Sequence, residues 1–181
     1  MITRRSTLSA LGIAACLASS TLLASAQVTF NRGYDSDPET LDPHKTSVVS
    51  EAHLLRDLYE GIVIHDQNGK VAPGVAESWT ISPDGKTYTF NLRANAKWSN
   101  GDPVRAQDFE YSLKRIMDPK TGAKYANILF PILNAEAFNK GQGKTAADMG
   151  VKAENDRKLV ITLERPTPYF LELLTHQTGT P

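Results

Sequence analysis

This chain has almost no cysteine: Cys16 is the only one in 181 residues. It falls in an N-terminal stretch of separate composition, so once that stretch is removed neither a disulfide nor a thiolate metal site can form. Charge of one sign is missing as well, with 20 basic residues against 20 acidic and no Lys/Arg run. That argues against nucleic acid and anionic membrane surfaces as partners. No Gly-x-Ser-x-Gly elbow, His-Glu-x-x-His pair or phosphate-cradling Gly-rich loop occurs, so no assembled hydrolase or nucleotide site is visible. Internal repeats and low-complexity segments are also absent.

What is present begins with residues 1–26. Arg4 and Arg5 form a basic start, residues 8–23 are apolar and small, and Ala24-Ser25-Ala26 suits cleavage before Gln27. This reads as a secretory signal peptide. A membrane anchor is the rival reading, but Ser9, Ser19, Ser20 and Thr21 interrupt a run that falls short of the ~20 apolar residues a span needs. Lipidation at Cys16 after Ile13-Ala14-Ala15 is a second alternative, opposed by the apolar sequence that continues to Leu23. The arginine pair partly matches a twin-arginine signal, and ordinary Sec export is the reading preferred. Without Arg4 and Arg5 the mature portion carries 18 basic against 20 acidic residues, enough chain for one domain's core.

The chain is organised around residues 74–108. Residues 78–81 and 87–92 are β-prone and flank Ser82-Pro83-Asp84-Gly85, a turn in which proline presets one dihedral and glycine supplies positive φ. Tyr88, Phe90 and Leu92 share one face of the second run, which predicts a hairpin with one buried side. Asn100-Gly101-Asp102-Pro103 makes another turn, and Phe109, Leu113, Ile116 and Met117 lie at helical spacing over 106–117. Elsewhere, residues 28–32 read as a short strand, Ser50 as the cap of a helix to Tyr59 with Leu55, Leu58, Tyr59 and Ile62 at core spacing, and 62–65 as a strand. Short helices are expected over 124–130 and from Tyr169 to Leu174, with a further helical run before Gly141-Gln142-Gly143, a turn at Asn155-Asp156 and a strand at 158–163. The fold class is α/β, built from α+β elements.

Candidate chemistry is sparse. Asp42, His44, His53 and His65 lack the i, i+3 or i, i+4 histidine spacing of a metal site, so they are read as structural, and no metal or other cofactor is expected. Asp84 and Asp102 are turn formers, Asp108 sits in a helix's first turn, and Glu110 is grouped with them as structural. Trp79, Tyr88, Phe90 and Trp98 could stack on a sugar but read better as core.

The residues Pro73-Gly74-Val75-Ala76-Glu77-Ser78-Trp79, Ser82 to Phe90, Leu92-Arg93 and Lys97-Trp98-Ser99-Asn100-Gly101-Asp102-Pro103 say more in combination. They resemble extracellular solute-binding proteins of family 5, most of all those that bind oligopeptides for ABC importers; the resemblance runs from about Leu41 to the last residue. It implies a non-enzymatic periplasmic protein of two lobes that close on a short peptide and deliver it to a membrane permease, monomeric at full length. Residues 27–59 would begin the large lobe and 60–181 form the small domain, with the remainder beyond Pro181. The resemblance also implies three ligand contacts. The segment after Leu41-Asp42-Pro43-His44, with Ser47, Val48 and Val49, would pair its backbone with the peptide. Tyr125, after Asp118-Pro119-Lys120-Thr121, would face the cleft, and His176, after Tyr169 to Leu174, would border it. Relatives often carry an acidic residue where this chain has Ser47, which removes a charge available to a ligand. Binders of dipeptides, nickel chelates, opines or sugars share the central motif and form the alternative.

Overall fold

The structure is a computed structural model that describes Thr29, residues 31–34 and residues 36–181. The signal-peptide reading and Cys16 lie outside the described residues. So do Val28 and Phe30 of the strand expected over 28–32, while Thr29, Asn31 and Arg32 carry no strand. Residues 34–181 pack as one unit. Its order is α1 (Val49–Leu58), β1 (Val63–His65), β2 (Val71–Pro73), β3 (Ala76–Ile81), β4 (Thr87–Leu92), α2 (Ala106–Met117), α3 (Ala135–Asn139), β5 (Val151–Asn155), β6 (Lys158–Thr162) and α4 (Phe170–Leu173). Single 3-10 turns at Pro119–Thr121, Ala126–Leu129, Ala146–Asp148 and Gln177–Gly179 fill the joints. The mixed helix and sheet composition agrees with the sequence.

The hairpin is where the sequence puts it. β3 pairs antiparallel with β4, Trp79 opposite Phe90 and Ile81 opposite Tyr88, and Gly85 takes φ +68° in the turn between them. β6 then adds to the other side of β4 and β5 to β6, giving a four-stranded antiparallel sheet ordered β3-β4-β6-β5. Alternation decides which face is buried: Tyr88, Phe90 and Leu92 of β4 meet Leu159 and Ile161 of β6, all at 2% exposure or less. α2 packs across β5 and β6 and contributes Phe109, Leu113, Ile116 and Met117, each fully buried as its spacing requires. Tyr88 also meets Phe170 of α4 edge-on, ring centroids 5.1 Å apart, and donates its hydroxyl to the Thr167 carbonyl at 3.2 Å.

A second, two-stranded sheet pairs β1 with β2, and the chain then passes directly into β3. Val75 N and Ala76 N donate to the carbonyls of Gly61 and Ile62, both at 3.0 Å. The approach is so close that a Cβ at Gly74 would stand 2.5 Å from the Gly61 oxygen. Arg93 locks this corner, reaching both oxygens of Glu60 and the carbonyl of Gly74.

Two local expectations need correction. Ser50 does not cap α1: the helix begins at Val49, Val48 occupies the cap position, and no side chain bonds there. Glu51 instead binds the chain that enters the helix. Its carboxylate, in a residue only 4% exposed, accepts from the amides of Glu39 at 2.9 Å and Ser47 at 3.4 Å, so the chain entering the helix is tied from inside its first turn. Leu58, placed at core spacing, is instead 56% exposed.

Candidate functional site

Three of the expected ligand-contact positions meet in space although they are far apart in the chain. α2 stops at Met117, where Asp118 accepts from the Lys120 amide at 2.9 Å and starts a 3-10 turn containing Pro119. Thr121 donates to the Arg115 carbonyl at 2.7 Å. The chain therefore folds back on the end of the helix, which brings Tyr125 toward the segment before α1. The Tyr125 hydroxyl donates to the Ser47 carbonyl at 3.2 Å, and its ring packs edge-on against His176, centroids 5.4 Å apart at 72°.

His176 precedes the last 3-10 turn and caps it. Its Nδ1 accepts from the Thr178 amide at 3.3 Å and lies 3.1 Å from the Thr178 hydroxyl. A ring nitrogen that accepts from a backbone N–H is unprotonated, so the proton of the neutral ring sits on Nε2. Burial and the positive charge of Arg56 both lower the ring's proton affinity, so the site presents a neutral donor.

Val48 and Val49 complete the surroundings of Ser47 and are 49% and 71% exposed. Their conformation differs from the expected extended strip, because Val48 is extended but Val49 is already the first residue of α1. Much of the segment's backbone is also engaged: Ser47 N by Glu51, Ser47 O by Tyr125, and Val48 O by the Ala52 amide at 3.1 Å.

Behind this surface stands a polar network that sequence reasoning missed. Asp42 receives two bonds from the Arg115 guanidinium, at 2.9 and 2.6 Å, and these, with the His44 amide, hold its carboxyl down to about 2. His44 is 3% exposed and lies between Arg115, 2.7 Å from Nδ1, and Ser112, 3.1 Å from Nε2. Burial first, and the Arg115 charge second, lower its ring from 6.5 to about 4. The metal reading of Asp42, His44, His53 and His65 finds no support: among the described residues no three His, Cys, Asp or Glu side chains gather to hold a metal. Asp84, Asp108 and Glu110 accept from backbone amides at 3.1, 2.8 and 2.7 Å, as structural carboxylates do. Trp98 is half-buried and donates to Asp108 at 3.3 Å.

A concavity of about 920 Å³ lies between the end of α1, Gly61, Arg93, Trp98 and Thr175. Its lining includes none of Ser47, Tyr125 and His176.

Comparison with known proteins places the chain. Residues 70–181 match the model of the bacterial extracellular solute-binding proteins, family 5 middle region. The periplasmic oligopeptide-binding protein OppA of Escherichia coli (strain K12) is 42% identical over 191 residues, which cover 99% of this chain and 35% of that protein. The probable deoxycholate-binding periplasmic protein YgiS of the same organism is also 42% identical, over 91% of this chain and 31% of its own length. Among solved structures, Haemophilus influenzae OppA in complex with RPPGFSPFR superposes with a TM-score of 0.77 at 45% identity, covering 81% of this chain and 29% of that one. The chain thus spans about a third of the length of the relatives it matches.

Proposed function

This chain belongs to the bacterial extracellular solute-binding proteins of family 5, and from that premise we propose that it is part of the substrate-binding component of a peptide ABC importer. The protein captures short peptides between two lobes and delivers them to the membrane permease. Residues 27–59 begin the large lobe and 60–181 form the small domain; residues 1–26 direct export to the periplasm. The full-length protein acts as a monomer and carries out no reaction.

One observation carries this reading: Ser47, Tyr125 and His176, drawn from three separate parts of the chain, form a single contact group. The group offers aromatic area, a hydroxyl, a neutral imidazole and two exposed valines, and no net charge. Such a surface suits a ligand held through its amide groups with side chains left in roomy, hydrated pockets. Ser47 supplies no charge at the position where relatives often carry an acidic residue, so that position contributes no preference for a charged ligand group.

Family membership alone leaves the ligand class open, since OppA and YgiS are each 42% identical to this chain over the residues they match and their names give different ligands. The deciding experiment is mass spectrometry of ligand co-purified with the full-length protein, followed by calorimetry with what is found. Peptides of a few residues are the expected result. A nickel chelate, an opine, a sugar or a bile acid would replace this reading with another of the same class, and release of a chemically altered product would replace it with an enzyme.

A further inference from the structure

The network around His44 has only one self-consistent proton arrangement. A guanidinium can only donate, so Nδ1, 2.7 Å from Arg115, accepts and carries no proton. Ser112 spends its own proton on the Thr180 carbonyl at 2.6 Å, so toward His44 it can only accept. The ring proton therefore sits on Nε2 and points at Ser112, 3.1 Å away. A second proton on Nδ1 would face Arg115 donor to donor and charge to charge, in a residue 3% exposed.

This seat sits three residues before Ser47. His44 fixes the segment against α2 through Ser112 and Arg115, Asp42 doubles the tie to Arg115, and the Asp42 carbonyl takes the Lys45 amide at 3.0 Å. Glu51 then holds the Ser47 amide, which leaves the Ser47 carbonyl turned to Tyr125. The position of that carbonyl thus depends on how His44 is seated.

We propose that His44 is a positioning residue for the Ser47–Tyr125 part of the ligand surface, and that it seats this segment only while its ring is neutral, which makes capture acid-sensitive. The proposal rests on the peptide-capture reading. The charged groups facing the ring are Arg115 from α2 and Asp42 from its own segment; α2 also presents Ser112, and the C-terminal segment reaches the network through the uncharged Thr180 carbonyl. Asp42 favours protonation, but its charge is already shared with Arg115 and weighs less than burial and Arg115 together.

The direction follows from the two protonation states. A free imidazole titrates near 6.5 and the seated one at about 4, so seating is fully favoured above pH 6.5 and weakens as pH falls. It levels off below pH 4. At pH 4.5 the balance between seated and released segment is moved toward release by on the order of a hundredfold.

The test uses the full-length protein with tetra-alanine as probe, by calorimetry at pH 7.5, 6.0 and 4.5, beside amide hydrogen exchange of Lys45 and Ser47 in the ligand-free protein, corrected for intrinsic rates. With the seated form outweighing the released one by roughly 10–20 to 1 at pH 7.5, wild type is expected to lose affinity by ~5–10-fold between pH 7.5 and 4.5 as the seated fraction falls, with amide protection falling in step. His44→Gln, which can still donate to Ser112 but never charges, flattens both curves and keeps affinity at pH 7.5 within ~3-fold of wild type, the cost of one neutral hydrogen bond. If that variant does not fold, His44→Asn, which keeps an acceptor toward Arg115, replaces it. A flat wild-type profile, or one that His44→Gln reproduces, overturns the proposal. Absence of peptide binding by wild type at pH 7.5 would defeat the functional reading instead, and the exchange data, which need no ligand, would still decide the role of His44.

Discussion

Tyr125 makes the most direct test at the scale of single residues, because its ring and its hydroxyl do different things. The ring is 36% exposed and packs on His176, while the hydroxyl is spent on the Ser47 carbonyl. Tyr125→Ala in the full-length protein removes both, and peptide affinity should fall by ~1–3 kcal/mol. Tyr125→Phe keeps the edge-on contact and loses only the tie to Ser47, so calorimetry should register a smaller loss of ~0.5–1.5 kcal/mol. Thermal denaturation of the same ligand-free variants guards the interpretation: a fully buried aromatic costs ~3–5 kcal/mol on truncation to alanine, and a partly exposed one should cost clearly less. Unchanged affinity in folded Tyr125→Ala would remove this residue from the site. Tyr125, His176 and Ser47 could be picked out only through resemblance, since no spacing rule links them. The partners behind them were illegible even so. Asp42 and Arg115 are 73 positions apart and His44 and Ser112 are 68, and only the fold that closes the segment against α2 makes a network of them.

Elements were far more legible than the contacts between them. Alternation over 87–92 and helical spacing over 106–117 each reflect one dominant buried face, and both elements appear with the expected bounds. α1 was read less well: Ser50 is a favourable cap by type, yet the helix starts at Val49 with Val48 at the cap position, and Glu51 reaches backward to hold the entering chain. The helix expected over 124–130 is a 3-10 turn at Ala126–Leu129, and the one expected from Tyr169 to Leu174 has only four residues, Phe170–Leu173. Each is too short to repeat a hydrophobic period, so pattern could not fix its type. The corner between β2 and β3 gives the sharpest test at this scale. A methyl at Gly74 would meet backbone, the Gly61 oxygen at 2.5 Å and the Ile62 oxygen at 3.1 Å, and backbone cannot turn aside as a side chain can. Gly74→Ala should therefore push residues 74–76 away from Gly61 and Ile62 and weaken the bonds Val75 and Ala76 make there, disturb the Arg93 bond to the Gly74 carbonyl, and cost ~2–3 kcal/mol in urea denaturation. Gly33→Ala, with nothing within 4 Å among the described residues, is the matched control and should change little. Equal midpoints for the two variants would show that the corner relaxes without loss.

At the scale of the whole molecule the decisive feature is how open the proposed ligand surface is. Val48, Val49 and Tyr125 are 49%, 71% and 36% exposed, so they form a shelf, whereas a small-molecule site typically buries ~70–90% of its ligand. Under the two-lobe proposal residues 27–59 only begin the large lobe, so the facing wall comes from the rest of that lobe, and closure about the hinge supplies most of the buried area and the remaining hydrogen bonds. Residues 27–181 expressed alone should accordingly bind a peptide at least ~100-fold more weakly than the full-length protein, a loss of ~3 kcal/mol or more, because the contacts from the rest of the large lobe are missing while the ligand's ordering cost is unchanged. The same portion leaves Leu58 at 56% and Ile64 at 37% exposed on the rim of the 920 Å³ concavity. Apolar surface of that kind favours self-association, so sedimentation of residues 27–181 should show a larger mass as concentration rises, and peptide titrations belong at concentrations where the monomer dominates. Calorimetry on that monomer decides the matter. Weak or absent heat is the expected outcome, and submicromolar capture by the monomeric portion would mean that one wall suffices, which would defeat the two-lobe account of how this protein holds its ligand.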